Sequence, residues 1–232
     1  MINWFSRFIT SSIGQKVIMS LTGIFLIVFL LVHLGGNTFL LHGDGGEAFN
    51  RYAHAMTSNP IIKTVSYGLY FFILLHAVQG IVLWRRNRQA RGGKRYAVKK
   101  DRVVGTSSFS SVYMGSLGTI ILVFILIHMY QFWLQMKLGE VPTVNYEGVP
   151  DAKDLYSLVQ ATYENVFFVI FYVVSMIVIG FHLWHGFQSA FQTLGLNHKK
   201  YTPLIKAIGK VYSVLIPAGF ASIPLAMYFG IV

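Results

Sequence analysis

The chain has 232 residues, of which 54% are hydrophobic and only 12% are charged, and its mean hydropathy is +0.56. Soluble domains carry about 25% charged residues, so this composition excludes an ordinary soluble protein and favours one embedded in a lipid bilayer. The lack of cysteine excludes disulfides, thiolate-held iron–sulfur clusters and covalently attached haem. The net charge of +11 would suit nucleic acid, but in so apolar a chain we expect no nucleic-acid partner.

Five segments lack charged residues over the roughly 20 positions that a helix needs to cross the hydrocarbon core. They predict an all-α membrane protein with five transmembrane helices, forming a single domain over residues 1–232. The predicted helices cover about residues 17–41, 62–84, 106–136, 163–194 and 203–230. The first is too long for the apolar region of a cleaved signal peptide, and we expect residues 1–16 to lie at the membrane surface.

The loops differ in charge. The segment between the second and third helices has nine Arg or Lys residues against one acid, Asp101, and the segment between the fourth and fifth has four lysines and no acid. The segment between the third and fourth helices instead carries five acids and two lysines. Because cytoplasmic loops are rich in Lys and Arg, this pattern predicts a cytoplasmic N-terminus. The basic face is also a candidate docking surface for a partner.

Each of the first four predicted helices carries a histidine within its apolar segment: His33, His76, His128 and His182. Ionisable side chains are costly inside a bilayer and are usually functional there. For any one of them alone, the alternative is a hydrogen bond to a neighbouring helix. Four imidazoles are the number that two b haems need when two axial histidines bind each iron, an arrangement that suits electron transfer.

Depth in the membrane predicts how these histidines pair. His33 and His128 each lie eight residues before the predicted outer ends of their helices, whereas His76 and His182 lie toward the inner ends. In an up-and-down bundle, helices one and three are diagonal, as are helices two and four. We therefore expect the first four helices to form a haem-binding bundle. An outer haem would lie between His33 and His128, and an inner haem between His76 and His182. The irons would be offset by a distance on the order of 10 Å.

Glycine follows both predicted inner ligands by four residues, at Gly80 and Gly186. That spacing places it on the ligand's helix face, where it leaves room for a flat porphyrin, although glycine also serves ordinary helix packing in membranes. His185 is the alternative ligand in the fourth helix, and His182 is preferred because it alone has glycine four residues later. The other histidines are expected in loops or at the membrane surface: His42, His54 and His198. A quinone-site role stays open for the first two.

These features resemble those of the single-chain, di-haem cytochrome b subunit of succinate dehydrogenase and fumarate reductase, the type B anchor of succinate:quinone oxidoreductases. The resemblance covers essentially the whole chain. It rests on the sequence SLTG at residues 20–23, on the register of the four histidines, and on FHLWHGFQSAFQTLG at residues 181–195.

The resemblance implies a bacterial inner-membrane anchor for a flavoprotein subunit and an iron–sulfur subunit docked on the cytoplasmic face. Succinate and fumarate would be interconverted on the flavoprotein, while two b haems on this chain pass electrons to a quinone, typically menaquinone. The resemblance implies the same histidine pairing and, with position in the sequence, points to Ser20, Gln15 and Lys16 as partners of haem propionates. Helix capping and surface anchoring are the alternative for those three residues. Several members of this family form dimers of complexes.

Quinone chemistry on this chain would need a proton acceptor near water. Glu47 is the predicted acid of a quinone site near the outer haem, with Asp44 behind it, and a solvated loop acid is the alternative. Two other interpretations of the whole chain also stay open. One is a di-haem cytochrome b subunit of another quinone-linked complex, of the hydrogenase or formate dehydrogenase type. The other is a haem-free membrane scaffold whose histidines only form hydrogen bonds.

Overall fold

The computed structural model describes residues 4–90 and 113–232. The predicted start of the third helix, 106–112, and the basic residues between 91 and 112 lie outside these described residues. The N-terminal half contains helices α1 (Trp4–Thr10), α2 (Ser12–Asn37, continued by a 3-10 turn over Thr38–Leu41), α3 (Glu47–Ser58) and α4 (Pro60–Ala90). The C-terminal half contains α5 (Met114–His128), a π-helical turn (Met129–Leu134), α6 (Gln135–Leu138), strands β1 (Thr143–Tyr146) and β2 (Val149–Lys153), α7 (Leu155–Tyr163), α8 (Val166–Thr193) and α9 (Thr202–Tyr228).

Five helices within the described residues are long and apolar enough to cross a membrane. They are α2, α4, the continuous helical segment from α5 to α6, α8 and α9. Large apolar side chains such as Val28, Phe71 and Ile177 are more than half exposed on their outer faces, which is the expected environment for lipid contact. The prediction of an all-α, five-helix membrane protein is confirmed at this level.

Polar caps move the helix boundaries away from those predicted by hydropathy. Helix α2 begins at Ser12, five residues before the predicted start, because the Ser11 hydroxyl accepts a hydrogen bond from the Gly14 amide at 2.9 Å. The predicted fourth helix is divided, since the Asn165 side chain accepts from the amide of Phe167 and starts α8 as a new helix. Residue 163, the predicted start, is instead the last residue of α7, and residues 164–165 connect the two helices.

Helix α8 lies at the centre of the fold and has eight buried residues. Helix α2 packs against α4 and α8, and α5 packs against the same two helices, so the four form a closed ring in sequential order. In this ring α2 is diagonal to α5, and α4 is diagonal to α8. Helix α9 packs outside the ring against α8 and α2, where the Tyr212 hydroxyl donates to the Ile27 carbonyl at 2.5 Å.

A small cap covers one end of the bundle, and the sequence analysis did not anticipate it. It consists of α3, α7 and the antiparallel hairpin of β1 and β2, in which Thr143 pairs with Lys153. Asn50 of α3, which is 1% exposed, links α3 to the hairpin and to the start of α7. The Asn50 side chain donates to the Tyr146 hydroxyl and to Asp154, and accepts from the amide of Tyr156, at 2.9–3.0 Å.

Candidate functional site

The four predicted histidines meet in two pairs across the diagonals of the ring. The ring centroids of His33 (α2) and His128 (α5) are 6.0 Å apart with an interplanar angle of 84°. Those of His76 (α4) and His182 (α8) are 6.3 Å apart at 67°. The structure therefore brings together the same residues, in the same pairs, that depth and topology predicted.

The spacing within each pair suits two axial ligands on one iron. A metal–imidazole bond is about 2 Å and the ring centroid lies roughly 1 Å beyond the nitrogen, so two such ligands have centroids about 6 Å apart. Edge-to-face ring contacts share this range. The surroundings of the rings therefore matter as much as the distance between them.

These surroundings repeat within the chain. Helices α2 and α5 carry the same residue types at positions 95 apart, namely Met19 and Met114, Gly23 and Gly118, Phe29 and Phe124, and His33 and His128. Helices α4 and α8 likewise share a histidine followed four residues later by glycine. The two halves of the bundle thus present equivalent positions to their histidines.

The repeat extends to the contacts. A Cβ atom on Gly23 would lie 3.4 Å from Cε1 of His76, and one on Gly118 would lie 4.0 Å from Cε1 of His182. Both glycines let the imidazole of the neighbouring helix approach the backbone. The sequence analysis missed Gly23 and Gly118 as site residues, although the 95-residue repeat would have shown them.

The glycines that were predicted, Gly80 and Gly186, each lie against a methionine. Their Cβ positions would be 3.6 Å from Cε of Met19 and of Met114, respectively. The thioether side chains are unbranched and adaptable, so they can fit around a bulky neighbour. This contact is the same in both halves of the bundle.

In the other pair, His33 and His128, a phenylalanine one turn earlier in the same helix stacks on each histidine. Phe29 stacks on His33 at 5.1 Å between ring centroids, and Phe124 stacks on His128 at 5.7 Å. These rings restrict how the imidazoles can turn. Phe29 and Phe124 were also not singled out from the sequence.

The repeat also gives the separation of the pairs along the bundle. Gly23 lies at the same height along the bundle axis as His76, and His33 comes ten residues later in the same helix. In the other half, Gly118 lies at the height of His182, and His128 comes ten residues later. At a rise of about 1.5 Å per residue, the two pairs are about 15 Å apart along the helix axes. This exceeds the 10 Å scale expected from the sequence alone.

The hydrogen bonds of three of these rings are made at Nδ1. It lies 3.1 Å from Thr22 Oγ1 in His76, 3.4 Å from the Tyr172 hydroxyl in His128, and 3.3 Å from the Asn37 amide nitrogen in His33. In metal-bound histidines the other ring nitrogen typically donates its N–H to an acceptor. The oxygens of Thr22 and Tyr172 can accept such a bond, whereas the Asn37 amide nitrogen is a donor, which also donates to the His33 carbonyl. The Nδ1 atom of His182 is buried and has no hydrogen-bond partner within the described residues.

The three predicted propionate partners lie at the end of the bundle opposite the cap. Gln15 and Ser20 are buried, and the Ser20 hydroxyl donates to the Lys16 carbonyl at 2.9 Å, while Lys16 itself is exposed. Gln15 Oε1 accepts from Arg86 Nη1 at 2.7 Å. Arg86, which the sequence analysis considered only for topology and partner docking, is therefore an additional candidate for an anionic group here.

Glu47 lies in the cap, at the first residue of α3, where it forms an ion pair of 2.7 Å with Arg51. Asp44 accepts hydrogen bonds from the amides of Gly46 and Ala48, so it stabilises the start of the same helix. Both acids therefore have structural roles, and a quinone site at Glu47 stays a prediction.

The other histidines have different surroundings. His185 is half-buried one turn beyond His182, which is the residue that faces His76. His42 contacts the Phe39 ring, and Nδ1 of His198 accepts from the Lys200 amide. His54 lies partly buried on α3. Across residues 4–90 and 113–232, no three His, Cys, Asp or Glu side chains lie close enough together to bind a metal ion by themselves.

The fold and these residues define an all-α, multi-pass membrane protein that carries two diagonal histidine pairs in its bundle. Comparison with known proteins adds no family to this class. No protein-family model matches the chain, and neither a curated protein nor a solved structure matches it.

Proposed function

We propose that this chain is the membrane anchor and electron-transfer subunit of a succinate:quinone oxidoreductase, with one b haem between His33 and His128 and another between His76 and His182. The observation that carries the proposal is the spacing of the two pairs, 6.0 and 6.3 Å, across the diagonals of a single bundle. The internal repeat supports it, because a structure that builds the same surroundings twice is suited to holding the same group twice.

Each residue has a definite task in this proposal. His76 and His128 bind through Nε2, since the Nδ1 atom of each lies beside a hydroxyl oxygen that can accept its proton, and His33 and His182 complete the two pairs. Gly23 and Gly118 hold open the space beside the rings of one pair, and Phe29 and Phe124 fix the rings of the other. Bound haem would supply one-electron redox chemistry at low-spin centres with no open coordination position.

The end opposite the cap is the proposed cytoplasmic face and the dock for the flavoprotein and iron–sulfur subunits. Exposed basic residues gather there from two helix ends within the described chain: Arg85, Arg86, Arg88, Lys199, Lys200, Lys206 and Lys210. Cytoplasmic ends of membrane helices carry such residues, and an acidic protein surface would complement them. The acceptor is proposed to be menaquinone or another quinone in the inner membrane of a bacterium.

The first test is a pyridine haemochrome assay with a reduced-minus-oxidised spectrum on the purified protein. We expect two b haems per chain. Replacing His33 or His128 by alanine should remove one, and replacing His76 or His182 the other. His185→Ala is the matched control in the same helix and should retain both. A folded sample without haem would overturn the proposal in favour of a scaffold.

The partner assignment needs a separate test, because it rests on the sequence resemblance. The complex purified from native membranes should contain a flavoprotein and an iron–sulfur protein, and succinate should reduce its haems. Reduction by hydrogen or formate, and not by succinate, would instead assign the chain to the alternative class of quinone-linked complex.

A further inference from the structure

One imidazole of each pair has its Nδ1 atom beside a hydroxyl group. Thr22 Oγ1 lies 3.1 Å from Nδ1 of His76, and the Tyr172 hydroxyl lies 3.4 Å from Nδ1 of His128. Both hydroxyl residues are buried inside the bundle, at 3% and 4% exposure. Water therefore competes little for these hydrogen bonds, and a buried bond of this kind is electrostatically stronger than one in solvent.

The other contacts of the hydroxyls favour one direction for both hydrogen bonds. Thr22 donates its proton to the Ile18 carbonyl at 2.9 Å, and Tyr172 donates its proton to Gln131 Oε1 at 2.8 Å. A hydroxyl has one proton and two lone pairs, so each oxygen is left to accept. This arrangement assigns the proton to Nδ1 of His76 and of His128 and leaves Nε2 to bind a metal.

We propose that Thr22 and Tyr172 are positioning residues that each tune the reduction potential of one haem. By accepting from Nδ1–H, each hydroxyl fixes the tautomer of one ligand and increases the electron density that the imidazole gives to iron. A more basic ligand favours the oxidised metal and lowers the potential. This inference rests on the proposed function, because it concerns the potentials of the two proposed haems.

The internal repeat predicts where such a hydroxyl is missing. The position equivalent to Thr22, 95 residues later, is Leu117. Leucine cannot accept a hydrogen bond, and the equivalent of His76 is His182, whose buried Nδ1 atom has no partner among the described residues. In the proposed His76–His182 haem, one ligand histidine thus has a hydroxyl acceptor at Nδ1 and the other has none.

The test is a redox titration of the intact complex with each hydroxyl removed in turn. Thr22→Val should raise the potential of the His76–His182 haem only, and Tyr172→Phe should raise that of the His33–His128 haem only. We expect a shift of about tenfold in the one-electron reduction equilibrium, which is about 59 mV. Each variant is the control for the other, and Thr22→Ser should restore the original value. The His33→Ala variant, which keeps only the His76–His182 haem, assigns the two titration waves.

Two more variants keep the test decisive if Thr22→Val or Tyr172→Phe loses haem. Leu117→Thr adds a hydroxyl at the equivalent position and should lower the potential of the His76–His182 haem. Tyr212→Phe removes a hydroxyl that donates to the Ile27 carbonyl and should move neither potential. Two haems with unshifted potentials in Thr22→Val, Tyr172→Phe and Leu117→Thr would overturn this inference alone. A wild-type protein without haem would overturn the proposed function itself.

Discussion

Gly23 of α2 lies directly against His76 of α4, with room for one added carbon atom and no more. A Cβ atom at Gly23 would be 3.4 Å from Cε1 and 3.9 Å from Nδ1 of the imidazole. Such a distance is ordinary van der Waals contact, so alanine would fit but a branched side chain would meet the ring. Side chains in membrane bundles pack as closely as in other protein interiors, and the ring cannot yield freely.

Gly23→Leu should therefore displace His76 and remove the haem proposed between His76 and His182, while the haem proposed between His33 and His128 is retained. The selective effect is expected because His33 lies about 15 Å further along the same helix. Haem content and the α-band of the reduced spectrum report the loss. Gly118→Leu should do the same through His182.

Gly35→Leu is the matched control for Gly23→Leu. It lies in the same helix, and no atom outside its immediate chain neighbourhood would be within 4 Å of its Cβ position. We expect it to retain both haems at wild-type occupancy. Equal loss of haem in Gly23→Leu and Gly35→Leu would show that glycine serves helix flexibility here and not the space beside His76.

The irons of the two proposed haems should be separated by about 15 Å along the bundle axis. In the half-reduced protein only one haem is paramagnetic, whereas in the oxidised protein the two low-spin irons should enhance each other's spin relaxation. Pulsed electron paramagnetic resonance of the oxidised protein, compared with the His33→Ala variant, measures this coupling. A coupling that requires a separation below about 10 Å would contradict the distance of about 15 Å that we infer from the ten residues between Gly23 and His33.

Asn50→Ala should unfold the cap. The change removes three hydrogen bonds at a side chain that is 1% exposed and leaves the amide of Tyr156 without its partner, while Asp154 keeps its hydrogen bonds from Ser157. Buried groups left unsatisfied cost about 1–3 kcal/mol each, so we expect a loss of about 3 kcal/mol in unfolding free energy. Thermal unfolding in detergent measures it. Asn197→Ala, at an exposed position, should change stability by less than about 0.5 kcal/mol.

Asp154 gives the cap a dependence on acid pH. Partial burial acts to raise the pKa of this carboxyl, but hydrogen bonds from Ser157 and Asn50 outweigh it and hold the pKa below its ordinary value of 3.8. A carboxyl with a depressed pKa in the folded state stabilises the protein above 3.8, and that contribution is lost as the pH falls through the folded-state value.

The corresponding measurement compares wild type with Asp154→Ala by thermal unfolding at two pH values. At pH 7 we expect the variant to be less stable by about 1 kcal/mol, since the side chain also caps α7 through the Ser157 amide. Below pH 3 the difference should shrink. A difference that is constant with pH would mean that the ionised carboxylate does not contribute.

The sequence predicted what depends on composition and spacing. Hydropathy identified the five spans, and the depth of four histidines predicted pairs that the structure brings to 6.0 and 6.3 Å. It did not predict the cap, because Asn50 contacts partners about 100 residues away and no local pattern records such contacts. Helix ends were displaced where single side chains cap them, as Ser11 and Asn165 do.

Parts of the site were visible in the sequence but were not recognised. The 95-residue repeat contains Gly23 and Gly118, whereas the argument from spacing considered only glycines on the ligands' own helices. The partners of the ring nitrogens could not be predicted, because Thr22 and Tyr172 come from neighbouring helices whose rotation is fixed by packing. The role of Glu47 in quinone chemistry is still a prediction.

The ten-residue spacing between Gly23 and His33 has an electrical consequence. An electron that passes between the two histidine pairs would move about 15 Å through a hydrocarbon core of about 30 Å, which is roughly half of the insulating layer. A full crossing is worth about 2.3 kcal/mol per 100 mV of membrane voltage, so this half crossing is worth about 1.2 kcal/mol per 100 mV. The redox balance between the two sites would then respond to the energised state of the cell. A voltage jump applied to vesicles should redistribute the electron even with no substrate present.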